Sequence, residues 1–361
     1  MRPAENVDLS LDLLPGLRLS NPLMIASSHL TATEAALRNL ARVRPSAVTL
    51  KTTSTVVGGD GKGRRLLVNV FDMEQDTIGI YSDGPKDLEF LDLAATKGLL
   101  TVAKELFGET PVGISVLQNK DENYEALAGE VASCNYVEFN LKYSLRPDPG
   151  SPNASYLERA QEQWVTIKKE VQRFIAAFTR KPLLIKLPRE LGVFVPSAEW
   201  FEFLHILKET NADGMRVGII AANSQRCRVA PMFHENTHRG DFFGELAEGV
   251  LCGPALFFDT YDLIRRICQP GTAWKEVPIV ASGGITTVQT ILDIREFRLC
   301  SGSRSPDATI GECKIVNCTD RFWGFFVTVV SPFEFPTDEP VRSNSSPEFL
   351  TLREGGPCAA R

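Results

Sequence analysis

The feature that most constrains this chain is a repeated alternation. Through residue 297, short β-branched or apolar runs are separated by longer stretches whose apolar residues recur at helical spacing. The spacing predicts strands at Leu23–Ala26, Ala47–Lys51, Val112–Val116, Tyr136–Leu141, Leu183–Leu187, Met215–Asn223 and Pro278–Ala281. Over Ala154–Arg180, the residues Leu157, Ala160, Trp164, Ile167, Val171, Phe174 and Phe178 form one stripe, which predicts a long helix packed on a core. Strands alternating with helices build βα units and a parallel sheet, and near-continuous apolar strands fit a sheet buried on both faces. This pattern admits an open doubly wound sheet or a barrel one strand short. No G-x-G-x-x-G follows the first strand, which disfavours a dinucleotide-binding sheet.

Polar residues gather where the expected strands end. Ser27 and Ser28, Lys51 and Thr52, Ser115, Asn140, Lys186, Asn223 and Ser224, and Ser282 all fall at C-terminal ends. In a (β/α)8 TIM barrel those ends form one face and one active site, so the expected fold class is α/β and barrel-like. After residue 297 the character changes. Arg298–Ile310 is small and polar where an eighth strand is due, and Ser331–Arg361 is rich in Pro, Ser and Glu. The expected division is a barrel over 1–297 and a partly disordered tail over 298–361, with the eighth strand in doubt.

Composition narrows the function. A formal charge of −6 gives no footprint for nucleic acid or an anionic membrane. Four histidines and eight cysteines without a C-x-x-C pair give no metal site or iron–sulfur cluster. The first residues, MRPAENVDLSLDLLPG, contain no apolar run of membrane or secretory length. Reduced thiols and a cytoplasmic location are therefore expected.

The strand-end residues suggest chemistry. A lysine closing an apolar strand, as Lys51 and Lys186 do, either snorkels to solvent or holds a fixed cation over the barrel mouth. Such a cation stabilises an anionic reduced flavin or a substrate carboxylate. Asn140 and Asn223 offer amides that cap loops or meet the edge of a planar heterocycle. The ASGGI run, Ala281 to Ile285, contains glycines that allow a phosphate close to the backbone, or make an ordinary turn.

Taken in order, NPLMIAS, LKTTST, EFNL, IKLP, AANS and ASGGI resemble the dihydroorotate dehydrogenase family, in particular its soluble branch. GVLCGPAL, Gly249 to Leu256, is similar to that family's flavin loop, with Val250 and Cys252 as departures. The resemblance implies FMN as cofactor, oxidation of dihydroorotate to orotate in pyrimidine biosynthesis, and fumarate as acceptor. It also implies that Lys51, Asn140, Asn223 and Ser224 face the substrate. Ala26, Ser27, Lys51, Thr52, Asn140, Lys186, Gly253, Gly283 and Gly284 would hold FMN. The expected partner is a small dihydroorotate-like molecule, with a homodimer admitted as an assembly and neither nucleic acid nor membrane involved.

Three departures qualify that expectation. The family's catalytic Cys or Ser, three residues after the strand-end asparagine, is replaced by Tyr143, with Ser144 beside it. A phenol titrating near ~10 is a poor base at neutral pH. In the segment matching the substrate loop, Asp76 stands where the family has a neutral amide. Finally, Ser301–Asp307 reads SGSRSPD where the family has an A-G-A-x-A-V-Q strand. Codons AGC GGG AGC CGC AGT CCA GAT, read one nucleotide later, spell Ala-Gly-Ala-Ala-Val-Gln, so a change of reading frame near residue 298 is expected. Two alternatives stay open: a catalytically impaired flavin-binding remnant, and an FMN reductase of another planar heterocycle.

Overall fold

Leucines on both sides of a Pro-Gly pair fold the start of the chain into a hairpin. The computed structural model describes residues 10–55, 66–71, 77–83, 90–141, 156–189, 197–212, 216–223, 225–228, 248–253, 256–267 and 277–285. β1 (Leu11–Leu14) and β2 (Leu17–Leu19) pair antiparallel around Gly16, whose φ of 82° suits a residue without Cβ. The principal sheet starts with β3 (Met24–Ile25) and β4 (Ala47–Thr53). The chain leaves it for a second sheet through β5 (Leu66–Phe71) and β6 (Thr77–Asp83). It returns through β7 (Val112–Leu117), β8 (Tyr136–Asn140), β9 (Leu183–Leu187) and β10 (Val217–Ala221). β11 (Gln225–Arg228) and β12 (Glu248–Cys252) rejoin the second sheet, and β13 (Ile279–Ala281) is the last strand of the first.

The seven strands of the principal sheet lie in the order β13-β10-β9-β8-β7-β4-β3, and every neighbouring pair is parallel. Spatial order follows chain order without a reversal. Right-handed crossovers then place all connecting helices on one side and curl the sheet, whereas a doubly wound sheet reverses once. The fold is therefore α/β and TIM-barrel-like, which resolves the choice left by the sequence pattern. The place where an eighth strand would fall, held in doubt from the sequence, lies outside the described residues, as do all of 298–361.

The two faces of the sheet bury different cores. Helices Glu34–Ala41, Leu93–Phe107, Tyr156–Ala177, Ser197–Ala212 and Phe257–Ile267 contribute Leu37, Leu100, Trp164, Leu204 and Leu263 to the outer one. Of the stripe on the long helix, Trp164, Ile167, Val171, Phe174 and Phe178 are buried. The rings of Phe174 and Phe139 stack at 4.1 Å, which fixes β8 with Phe139 outward. By strand alternation, Tyr136, Glu138 and Asn140 then face inward. The inner core joins the hairpin residues Leu13, Leu14, Leu17 and Leu19 to Tyr136, Leu184, Ile220 and Val280.

The second sheet, β11-β12-β6-β5, is antiparallel. Its two halves are inserted after β4 and after β10, at C-terminal ends of barrel strands. Much of the segment read as a substrate loop is consequently strand: Thr77–Asp83 pairs with both β5 and β12, while Asp76 lies outside the described residues.

One glycine in the interior has a direct steric reason. A Cβ at Gly113 would lie 2.4 Å from the ring of Tyr136, which is fully buried and whose hydroxyl is 2.8 Å from Thr49 Oγ1. Gly113→Ala is expected to destabilise the fold by about 1–3 kcal/mol through overpacking, measured by chemical denaturation. An unchanged midpoint would mean that Tyr136 is free to move.

Candidate active site

Above the apolar inner core, the inward-facing residues become polar. Ser115 on β7 pairs in register with Glu138 on β8, and Lys186 on β9 lies one inward position further along, opposite Asn140. The Ser115 hydroxyl donates to Glu138 Oε1 at 2.7 Å, and Lys186 Nζ reaches the same oxygen at 3.4 Å. Both charged side chains are buried, at 0% exposure for Glu138 and 5% for Lys186. Snorkelling therefore does not describe Lys186, whose ammonium is held inside the sheet by a carboxylate.

The next layer reaches the strand ends. Pairing of β4 with β7 slips between Leu50 and Thr53. That irregularity lets Thr52 turn toward the interior hydroxyls, although Val48 and Leu50 pack into the outer core. Thr52 Oγ1 lies 3.0 Å from Ser27 Oγ and 3.1 Å from Ser115 Oγ, and accepts from Asn140 Nδ2 at 3.2 Å. Asn223 Nδ2 donates to Asn140 Oδ1 at 2.8 Å. Ser27, Thr52, Asn140, Lys186 and Asn223 are thus joined through Ser115 and Glu138 into one network across β3, β4, β7, β8, β9 and β10. Lys51 is half-buried next to Thr52 on β4, and Ala26 directly follows β3.

A second group of residues lies at the end of β13. Gly283 and Gly284 have φ of 99° and 77°, and Gly253, just after β12, has 107°. A Cβ on Gly284 would stand 2.1 Å from Phe257 N, so the glycine turn packs on the N-terminus of the Phe257–Ile267 helix. Arg189, two residues beyond β9, is buried at the same place. It donates to the carbonyls of Asn223 at 3.2 Å and Leu256 at 3.0 Å, and to Thr260 Oγ1 at 2.9 Å. A Cβ on Gly283 would come within 2.4 Å of its guanidinium. A helix N-terminus, a turn with positive φ and a buried guanidinium make a positive environment suited to a phosphate.

Glu138 and Arg189 were not singled out from sequence. The available signals were an acidic residue inside an otherwise apolar strand, two positions before Asn140, and a cation just past IKLP. Tyr143, Ser144 and Ser224 lie outside the described residues. Among the described residues, the free thiol of Cys134 is buried and pushed up to about 11 by that burial, which makes it a poor nucleophile. Also among them, no group of His, Cys, Asp or Glu could hold a metal ion, and no helix is long and apolar enough to cross a membrane.

Comparison with curated proteins gives no significant match. A solved structure titled as the crystal structure of TcOYE with pHBA aligns over 80% of this chain and 86% of that one, with 10% identity and a TM-score of 0.42. A family model described as dihydroorotate dehydrogenase matches residues 11–299.

Proposed function

The chain belongs to the dihydroorotate dehydrogenase family, and from that premise we propose that it is an FMN-dependent oxidoreductase that converts dihydroorotate to orotate. The observation that carries the reading is the single polar network joining Ser27, Thr52, Asn140, Asn223 and Lys186 at the strand ends.

The donor set fits FMN. Ala26, Ser27, Thr52, Asn140 and Lys186 would hold the ring system, and Gly253, Gly283 and Gly284 the phosphate, with Arg189 adding positive charge beside that turn. When bound, FMN supplies the two-electron acceptor for the substrate's C6 hydride. The chain's own residues do the rest. Lys51, Asn140, Asn223 and Ser224 would bind and orient the substrate, Lys51 contacting flavin as well. Tyr143 or Ser144 would take the proton from C5. Loss of that proton and the C6 hydride yields orotate, and fumarate would recover the electrons as succinate.

The barrel domain proposed here is 1–297, with 298–361 as a tail outside the family pattern; the extent of the family match, 11–299, supports that boundary. A cytoplasmic location and a homodimer complete the proposal.

Ser144 is the better candidate base, because a shift of one residue in its loop brings it to the family position. Tyr143→Phe is then expected to keep most activity and Ser144→Ala to lose it, a general base contributing roughly 10²–10⁴-fold. The opposite ranking would assign proton transfer to the phenol. Orotate formation from dihydroorotate and fumarate by purified, FMN-loaded chain tests the function itself. Asp76 and Tyr143 favour one second reading, reduction of a different planar heterocycle, which predicts a flavin-loaded chain inert toward dihydroorotate.

A further inference from the structure

We propose that Glu138 is the positioning residue of this site: it holds the Lys186 ammonium and sets the hydrogen-bond direction of every group from Ser115 up to Asn140 and Asn223. The inference rests on the flavin reading above and deepens it.

The direction follows from proton counting. A carboxylate paired with an ammonium only accepts, and a serine hydroxyl has one proton to give. Ser115 donates that proton to Glu138 Oε1 at 2.7 Å. Toward Thr52, 3.1 Å away, the Ser115 oxygen can therefore only accept. Thr52 then accepts on its own two lone pairs, from Ser27 at 3.0 Å and from Asn140 Nδ2 at 3.2 Å. With its amide nitrogen turned to Thr52, Asn140 presents its carbonyl to Asn223 Nδ2, at 2.8 Å. Amide oxygen and nitrogen are nearly the same size, so packing alone would leave both orientations open. The carboxylate at the root of the chain removes that freedom. A neutral amide in its place can donate as well as accept, and both directions return.

The burial of Glu138 supports a functional role. Its side chain is fully buried, and Oε2 has no hydrogen-bond partner among the described residues. An unmet buried carboxylate oxygen is costly, and an apolar side chain would fill this inward position without that cost. What the acid does to Lys186 and to the amides accounts for bearing that cost.

The test compares the parent with Glu138→Gln and Ser115→Ala, each stripped of flavin and titrated with FMN, then with orotate. The reduction potential of the bound flavin is read by dye equilibration, and thermal melting serves as the fold control. Glu138→Gln removes a negative charge at constant shape, so the potential should become more positive. Its orotate affinity should fall about tenfold, the scale of one misdirected hydrogen bond to a charged ligand. Ser115→Ala keeps the Glu138–Lys186 pair but cuts the chain. It should match the loss of orotate affinity while keeping the parent's potential, a split that a purely structural role does not give. A parent that takes up no FMN overturns the flavin reading and this role with it. A parent that binds FMN while Glu138→Gln matches it in potential and orotate affinity overturns this role alone. Should Glu138→Gln fail to fold, Ser115→Ala decides: orotate affinity equal to the parent's contradicts the directed chain.

Discussion

Lys186→Ala is expected to remove about 3–5 kcal/mol of folding stability, because it leaves the carboxylate of Glu138 buried without its counter-ion. Typical domains are stable by only about 5–15 kcal/mol, so this one truncation takes a large share of the total. Bound FMN should be lost as well, since the only cation facing the interior from β9 goes with the side chain. The effect is one of imbalance and not of a strong bond. Replacing both partners by apolar residues of similar volume, as in Lys186→Met with Glu138→Leu, should recover most of the stability and none of the FMN. Chemical denaturation of the single and double variants reads the first quantity, and flavin content per chain the second. A single variant within about 1 kcal/mol of the parent would show that Glu138 does not depend on Lys186 as its partner, contrary to the pairing described here.

Lys51→Ala should act on the reaction and spare the cofactor. The other residues proposed on the flavin side keep their own partners without it: Asn140 stays bonded to Thr52, and Lys186 to Glu138. FMN content should therefore stay near that of the parent. Substrate-dependent flavin reduction should fall by roughly 10–100-fold, corresponding to loss of a charge-assisted contact of about 1.5–3 kcal/mol. Single-turnover reduction under anaerobic conditions measures it. A rate within about twofold of the parent would remove Lys51 from the site.

The sequence revealed the barrel strands because parallel strands buried on both faces are predominantly apolar, and β7, β8 and β9 read as short apolar runs with single polar interruptions. Burial of the long helix was equally legible, since Trp164, Ile167, Val171 and Phe174 face one side. The second sheet was not legible. β6, TIGIYSD, contains glycine and polar residues, and its partner β12 is far away in the chain, so its pairing is decided by tertiary contact. The hairpin β1–β2 is short enough for its leucines to pass as the start of a strand or helix.

Within the site, Lys186, Asn140 and Asn223 stood out because a polar residue ending an apolar strand is conspicuous. Glu138 did not, because its meaning depends on a lysine 48 positions later and on a shared inward face. Arg189 was hidden for a similar reason: its partners at Asn223, Leu256 and Thr260 come from two later segments, the end of β10 and the start of the Phe257–Ile267 helix.

The most direct test is anaerobic titration of the FMN-loaded chain with dihydroorotate, followed in the visible flavin band. The network of Ser27, Thr52, Asn140, Asn223 and Lys186 predicts a yellow protein that bleaches with dihydroorotate, releases orotate and recovers its colour with fumarate. A yellow protein whose band is untouched by dihydroorotate would contradict the substrate, and a chain that binds no FMN would contradict the account at its root.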